Sequence, residues 1–140
     1  MATVSDRMST DVAAVRPDTT LVEAAQLMRV SGVGGIPVLD PEGECAGILT
    51  ERDIVVRVIA ERREPLAAFV RDVASMHPVI CSPEEDAAMV ARRMRENEVQ
   101  HLPVCEEGEV VGVISLADIV FGRPDEERGM FAPPPEVISR

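Results

Sequence analysis

Apolar residues recur at helical spacing in two stretches of the chain, one after Thr20 and one after Asp86. In each stretch they follow the i, i+3, i+4, i+7 spacing of an amphipathic helix. These positions are Leu21, Ala24, Ala25 and Met28 in the first stretch, and Ala87, Val90, Ala91 and Met94 in the second. The pattern predicts two helices, with Asp86 as the N-cap of the second and a capping box between Thr20 and Glu23 in the first.

Shorter apolar runs flank each predicted helix and are typical of strands. One run precedes the helix and ends at a proline, and two more follow as a hairpin whose turn contains Gly43 or Gly108. The predicted strands are residues 13–17, 36–39 and 45–49 in the first half, and 79–83, 102–105 and 110–114 in the second. Thr50 and Ser115 stand where a further helix is expected, and a hydroxyl there is a favourable N-cap.

The two halves are copies of one unit. Pro83 follows Pro17 by 66 residues, and many positions of the first half match the second at that offset, which becomes 65 after the hairpin turn. A duplication of this kind defines the structural unit. We therefore predict an α/β (α+β) fold with two β-α-β-β-α motifs packed about a pseudo-two-fold axis. Clefts between such units come in related pairs.

The repeat also predicts the organisation of the chain. The first motif is expected to span residues 4–60 and the second residues 70–122, joined by a charged linker at 61–69. Residues 123–140 are rich in proline and charge, so we expect a poorly packed, flexible tail there.

Composition and charge narrow the function. The net charge of −11 disfavours nucleic acid and anionic membranes as partners, because both are bound through positive potential. There is no signal peptide and no apolar run of the roughly 18 residues that span a bilayer, so a cytoplasmic location is expected. The three cysteines lack metal-ligand or disulfide-framework spacing and are interpreted as buried strand residues. No metal site and no catalytic residue is predicted, and we expect the chain not to be an enzyme.

One short motif occurs at the same place in both copies. Residues 47–53 and 112–118 each read glycine, two apolar residues, a hydroxyl, two variable residues and an aspartate. The hydroxyl caps a helix, and the aspartate lies one turn along, where it can accept hydrogen bonds from a vicinal diol such as a ribose. The same pair also forms ordinary helix caps, but its occurrence at matched positions favours a nucleotide site.

On these motifs, together with the Pro-Val strands at 37–38 and 103–104, the chain resembles a tandem pair of CBS (cystathionine β-synthase) motifs, or Bateman module, of the stand-alone bacterial type. The resemblance covers roughly residues 4–122. It implies two clefts that bind adenosine-containing ligands of the AMP, ADP and ATP class, a homodimer of CBS pairs, and regulation of a separate effector protein. The ligand serves as a regulatory signal and not as a catalytic cofactor.

The resemblance also implies the site residues. The first cleft would use Thr50, Arg52 and Asp53 with Val79, Cys81, Gln100 and His101, and the second would use Ser115 and Asp118 with Ala13, Val15, Gly34 and Gly35. Only the first set contains an arginine and a histidine. We therefore expect the Asp53 cleft to prefer polyphosphates and the Asp118 cleft to take a less charged adenosine ligand or none.

Two other functions stay open at this point. The chain could be an interaction scaffold that keeps the CBS fold without a ligand, or a sensor of S-adenosylmethionine or NAD(H). Binding of a nucleotide distinguishes the scaffold from the sensors. The physiological ligand, the orientation of the dimer and the regulated partner are not written in the sequence.

Overall fold

A computed structural model describes residues 1–122, so the predicted tail at 123–140 lies outside the described residues. The first copy contains α1 (Val4–Arg7), α2 (Leu21–Ser31), β1 (Gly35–Leu39), β2 (Cys45–Thr50) and α3 (Glu51–Ile54), which continues into a π-helical turn, Val55–Ile59. A 3-10 turn, Pro65–Ala67, leads to the second copy. That copy contains α4 (Val70–Val73), β3 (Ser75–Met76), α5 (Ala87–Glu96), β4 (His101–Glu106), β5 (Glu109–Ser115) and α6 (Leu116–Phe121).

The predicted helices are confirmed, and their ends follow local chemistry. The Thr20 hydroxyl accepts the backbone N–H of Glu23 at 3.2 Å, and the Asp86 carboxylate accepts that of Ala88 at 2.8 Å. The Glu23 carboxylate returns no bond to Thr20 among the hydrogen bonds of residues 1–122, so only half of the predicted capping box forms there. Helix α2 ends at Gly32, whose φ of 70° is accessible without strain to glycine.

The two predicted hairpins are also present, as antiparallel pairs β1–β2 and β4–β5. The prediction of full strands at 13–17 and 79–83 is wrong. Each of these segments makes one parallel bridge, Val15 to Val38 and Cys81 to Val104. In the first copy the chain turns immediately afterwards, with the Thr19 N–H donating to the Arg16 carbonyl at 3.0 Å, so the segment is too short to extend the ladder.

The free edge of each hairpin is closed by the other copy. Strand β3, at the start of the second copy, pairs with β2 of the first. Near the start of the first copy, Ser9 bridges to Val113 in β5 of the second. The short helices cross in the same way, because the N–H of Val4 donates to the Glu85 carbonyl and that of Val70 to the Thr19 carbonyl, both at 2.9 Å. The two copies therefore exchange their leading segments.

This exchange places each leading segment in the other copy's hydrophobic core. Val4 and Met8 are buried in the core of the second copy, while Val70 and Val73 are buried in the core of the first. The remaining buried members of the first core include Leu21, Ala24, Met28, Ile36, Val38, Leu49 and Val58. Those of the second include Cys81, Val90, Met94, Leu102, Val104 and Ile114. Neither core is complete without the other copy's leading segment.

Two glycines of the repeated motif allow the exchanged segments to approach the hairpins. A Cβ atom on Gly47 would lie 2.7 Å from the carbonyl oxygen of Ser75, and one on Gly112 would lie 2.7 Å from that of Ser9. These separations are below van der Waals contact, so a side chain at either position would push the crossing strand away. Both glycines are therefore explained by packing of the backbone. No helix within residues 1–122 has the length and apolar character needed to cross a membrane.

The exchange predicts which half each leading valine stabilises. Val4→Ala and Val70→Ala each remove two buried methyl groups and should lower the free energy of unfolding by about 2 kcal/mol. Hydrogen exchange measured by mass spectrometry should show that Val4→Ala loses protection mainly in residues 101–115. Val70→Ala is the matched control and should lose protection mainly in residues 35–50. The opposite pattern, with each variant loosening its own half, would contradict the exchange.

Candidate functional site

Asp53 and Asp118 occupy equivalent positions and form equivalent capping boxes. One Asp53 carboxylate oxygen accepts the Thr50 N–H at 2.9 Å, and the Asp53 N–H donates to the Thr50 hydroxyl at 3.2 Å. The corresponding distances between Asp118 and Ser115 are 3.1 and 3.0 Å. Each aspartate is 9% exposed. The capping interpretation is therefore confirmed at both sites, and it engages only one oxygen of each carboxylate.

The first cleft is a cavity of about 620 Å³ between the two motifs. Its wall contains six of the seven side chains predicted for it: Thr50, Arg52, Asp53, Val79, Gln100 and His101. The prediction for Cys81 differs from the structure. Its thiol lies in the second core, 3% exposed and 3.8 Å from the Pro103 carbonyl oxygen, because the bridge to Val104 turns it inward.

The second cleft is much smaller, at about 70 Å³. Gly34, Ser115 and Asp118 line it as predicted. The other three predicted residues, Ala13, Val15 and Gly35, do not. Val15 is buried in the first core through its bridge to Val38, and Gly35 is covered by a side chain of the second motif. The two equivalent motifs therefore border clefts of very different size.

His101 contributes to this difference, because it lines both clefts and its ring packs against Gly34 and Gly35 beside the Glu51 carboxylate. A Cβ atom on Gly35 would lie 3.0 Å from the ring carbon Cγ of His101, and one on Gly34 would lie 3.1 Å from ring nitrogen Nε2. The imidazole therefore lies directly against the two glycines, in space that the second cleft would otherwise have. The first copy has Gly35 at the position that His101 occupies in the second copy. No equivalent ring from the first copy therefore lies across the first cleft.

Burial determines the protonation of the residues around this ring. Desolvation lowers the pKa of His101, and the carboxylates of Glu51, Asp118 and Asp53 oppose that shift without overcoming it. Desolvation also raises the pKa of Asp118, against its hydrogen bonds with Ser115 and the charge of His101. The His101 imidazole is therefore mainly neutral at pH 7, and the wall between the clefts carries no fixed positive charge there.

Two further arginines line the first cleft and were missed by the sequence analysis. Arg57 donates to the Val73 carbonyl oxygen at 2.8 Å and lies 3.7 Å from the second Asp53 oxygen. Arg95 reaches the cleft from α5. The spacing of four residues between Asp53 and Arg57 on a predicted helix could have revealed the first of them. The equivalent position to Arg57 in the second copy is Gly122.

Within residues 1–122, a cluster of arginines lines the first cleft and not the second. Arg52, Arg57 and Arg95 line the first cleft together with His101, alongside the carboxylates of Glu51 and Glu98. The second copy has Ala117 where Arg52 stands. No group of three or more histidine, cysteine, aspartate or glutamate side chains within residues 1–122 is arranged to hold a metal ion. The first cleft thus combines arginines with a carboxylate that has one oxygen free of the capping box.

The duplicated fold and its paired clefts agree with comparisons to known proteins. A family model described as the CBS domain matches residues 4–60 and 70–123. The chain belongs to the CBS domain family. A related CBS domain-containing protein, YhcV of Bacillus subtilis strain 168, is 34% identical over 127 residues, which cover 91% of this chain and 89% of YhcV.

Solved CBS structures share this architecture. The hexameric CBS-CP12 protein from bloom-forming cyanobacteria has a TM-score of 0.81 at 28% identity, over 91% of this chain and 75% of that protein. Two more distant structures were solved with ligands. The CBS pair of MJ0100, with 5′-methylthioadenosine and S-adenosyl-L-methionine, has a TM-score of 0.77 at 21% identity, over 86% of this chain and 94% of that one. CBSX2 with AMP has a TM-score of 0.71 at 21% identity, over the same shares. At that identity the likeness shows the CBS fold.

The lowered pKa of His101 predicts a pH dependence of stability. A histidine whose pKa is lower in the folded than in the unfolded chain allows the folded state its full stability above the unfolded pKa of about 6.5. As the pH falls below that value, the unfolded chain binds a proton more readily than the folded chain, and the free energy of unfolding decreases. The melting temperature of the wild type should therefore fall more between pH 7.5 and 5.5 than that of His101→Asn. Equal falls in the two proteins, or a larger fall in the variant, would contradict the neutral, desolvated imidazole.

Proposed function

We propose that this CBS pair is a regulatory sensor that binds one adenosine-containing nucleotide in the Asp53 cleft. The observation that carries the proposal is the inequality of the two clefts. The Asp53 cleft has about 620 Å³ and three arginines, whereas the Asp118 cleft has about 70 Å³. The occupied and empty states would then differ in the arrangement of the dimer proposed below, and a separate effector protein would respond to that difference.

The size of the Asp53 cleft suits a nucleotide. Small-molecule sites are usually cavities of roughly 300–1,000 Å³, and the Asp118 cleft falls well below that range. Val79, Ile48 and Leu102 give the larger cleft an aliphatic surface against which a base could pack. The Asp53 carboxylate, held in place by Thr50, has a second oxygen that can accept hydrogen bonds from ribose hydroxyls.

The charges of the cleft favour phosphate groups. Arg52, Arg57 and Arg95 line a single cavity, where they balance the carboxylates of Glu51, Asp53 and Glu98 in a chain whose net charge is −11. Guanidinium groups bind phosphate oxygens through short, charge-assisted hydrogen bonds. A phosphate near His101 would also raise the pKa of its imidazole and add a second donor. We therefore expect affinity to increase from adenosine to AMP and further to ATP.

Ligands of the structural relatives support an adenosine-containing compound. MJ0100 was solved with 5′-methylthioadenosine and S-adenosyl-L-methionine, and CBSX2 with AMP. These compounds share adenosine and differ in charge at the 5′ end. The arginines of the present cleft favour the anionic members, and a sensor of S-adenosylmethionine or NAD(H) is the second candidate. A scaffold without a ligand is the alternative if no compound binds.

A thermal-shift titration with AMP, ADP, ATP, S-adenosylmethionine and NADH tests the proposal. A ligand present at 100 times its dissociation constant should stabilise the protein by about 2.7 kcal/mol. Asp53→Ala should abolish this shift, and Asp118→Ala should keep it. The two variants are matched controls because each removes one capping box, so both should lower the unliganded stability by about 1 kcal/mol.

Equal loss of ATP binding in the two aspartate variants would contradict the assignment to the Asp53 cleft. A shift with S-adenosylmethionine alone would replace the nucleotide by the second candidate, and no shift with any compound would favour the scaffold. Arg95→Ala should weaken ATP more than adenosine. Arg92→Ala is its control on the same helix, because Arg92 is exposed and lies 3.7 Å from Glu96, outside the cleft.

We also propose that two copies of the chain form a homodimer through equivalent apolar surfaces of the two motifs. Val55 and Val120 occupy the same position of the repeat and are 59% and 63% exposed. Their neighbours Val56, Ile59 and Phe121 are exposed as well. Contiguous exposed apolar groups mark interaction surfaces, and the CBS-CP12 relative is hexameric. Sedimentation equilibrium should give twice the mass of the chain, and a single-chain mass would contradict the dimer.

A further inference from the structure

The guanidinium group of Arg57 lies where the first cleft meets the leading segment of the second copy, residues 70–76. Its Nη1 atom donates to the Val73 carbonyl oxygen at 2.8 Å, and the same atom lies 3.7 Å from the Asp53 carboxylate. Val73 is the last residue of α4, which is buried in the core of the first copy. The Arg57 side chain is 47% exposed and borders the cleft. One side chain therefore contacts both the candidate nucleotide site and the exchanged segment.

The contact with Val73 caps the C-terminal end of α4. The last carbonyl groups of a helix have no partner within the helix, and arginine side chains can satisfy them. Arg63 supplies a neighbouring cap, because its Nη1 atom donates to the Asp72 carbonyl oxygen at 3.2 Å. Two arginines thus hold the end of this helix. Of these two, Arg57 lines the cleft and Arg63 does not.

The leading segment has little local stability of its own. Helix α4 has four residues, and β3 pairs with β2 through two residues, Ser75 and Met76. Elements this short are marginal without contacts from the rest of the fold. Ser75 also lines the cleft, and so do Pro78 and Val79 just beyond the segment. The order of the segment is therefore sensitive to contacts made in the cleft.

Arg57 keeps donors for a ligand while it caps the helix. A guanidinium carries five N–H groups in a rigid plane. Among the hydrogen bonds of residues 1–122, Arg57 makes the single one from Nη1 to Val73. Because the plane is rigid, this bond limits where Nη2 and Nε can lie. A phosphate oxygen can bind these two nitrogens without displacing the Val73 carbonyl.

We propose that Arg57 couples the presence of a nucleotide phosphate in the Asp53 cleft to the order of residues 70–76. This inference rests on the nucleotide proposed above for that cleft. A bound phosphate fixes the guanidinium, so the cap on Val73 no longer carries the entropic cost of ordering a half-exposed arginine. Adenosine has no phosphate and would fill the base and ribose positions without this effect. The leading segment thereby distinguishes a phosphorylated ligand from an uncharged one.

The second copy has no equivalent coupling. Gly122 stands at the position of Arg57, and Arg7 stands at that of Val73, at the end of α1. Gly122 has no side chain that could cap α1 from the second cleft. The coupling is therefore confined to the larger cleft, which is the one that we propose to bind the nucleotide.

Hydrogen exchange of the full chain, measured by mass spectrometry with adenosine and with ATP, tests the proposal. Each ligand is present at the same multiple of its dissociation constant, so that both stabilise the whole fold equally. In the wild type, residues 70–76 should exchange about fivefold more slowly with ATP than with adenosine, a typical coupling between two sites. Residues 21–31 are the internal reference and should respond equally to both ligands, because α2 does not border the cleft.

Arg57→Gln and Arg63→Gln are matched variants, since each removes one arginine cap from α4. Both should exchange faster in residues 70–76 when no ligand is present. Arg63→Gln should keep the difference between ATP and adenosine, whereas Arg57→Gln should abolish it. Arg57→Gln should also lower the ratio of ATP affinity to adenosine affinity by about tenfold, because a charged hydrogen bond to phosphate is lost. An arginine with only a structural role would change neither the ratio nor the difference.

Two results would overturn the coupling. One is equal exchange of residues 70–76 with the two ligands in the wild type, and the other is a difference that persists in Arg57→Gln. Calorimetry on the same samples separates this failure from that of the proposed function. If ATP binds without slowing residues 70–76, the nucleotide site stands and the coupling is wrong, and if neither ligand binds, both are wrong. The wild-type comparison decides the question even where a variant fails to fold.

Discussion

The exchange of leading segments is the constraint on which the remaining structure depends. Val4 completes the core of the second motif and Val70 that of the first, and each crossing segment closes the free edge of the other motif's hairpin. A motif of this size buries little apolar surface by itself. The exchange therefore joins two marginal units into one folded domain, and it fixes their relative orientation. The backbone geometry of the clefts between the motifs follows from that orientation.

Because the relative orientation of the two motifs is fixed, single differences in side chains determine the size and the lining of each cleft. The two motifs are equivalent in their capping boxes, so the backbone offers the same site twice. The difference comes from side chains that the duplication does not preserve. His101 replaces Gly35 and fills the second cleft, while Arg52 and Arg57 are replaced by Ala117 and Gly122. One site is thereby made open and lined with arginines and the other closed, without any change of fold.

Much of this fold could be predicted from the sequence, because the local signals are repeated. The helices, the hairpins, the caps at Thr50 and Ser115 and the family resemblance all follow from patterns that occur twice. The exchange could not be predicted. The likeness of Val4 and Val70 shows that two segments are similar, and it does not show which core each one enters. Gly47 indicates a close approach of backbone without identifying the strand that approaches.

The residues of the candidate site could likewise be predicted only in part. Six of seven residues assigned to the first cleft line it, because they follow the family motif, whereas Cys81 faces the core through a single bridge. Of the six residues assigned to the second cleft, Gly34, Ser115 and Asp118 line it. The volume of that cleft depends on the direction of one imidazole ring, and residue spacing carries no information about it. A pair of glycines opposite a histidine was the available signal.

The stoichiometry of nucleotide binding, measured by isothermal titration calorimetry on the wild-type chain, tests the central claim most directly. The nucleotide used should be the one that gives the largest thermal shift. A closed second cleft predicts one nucleotide per chain. Two equivalent nucleotides per chain would show that His101 does not close the Asp118 cleft, and the account of unequal sites would be wrong.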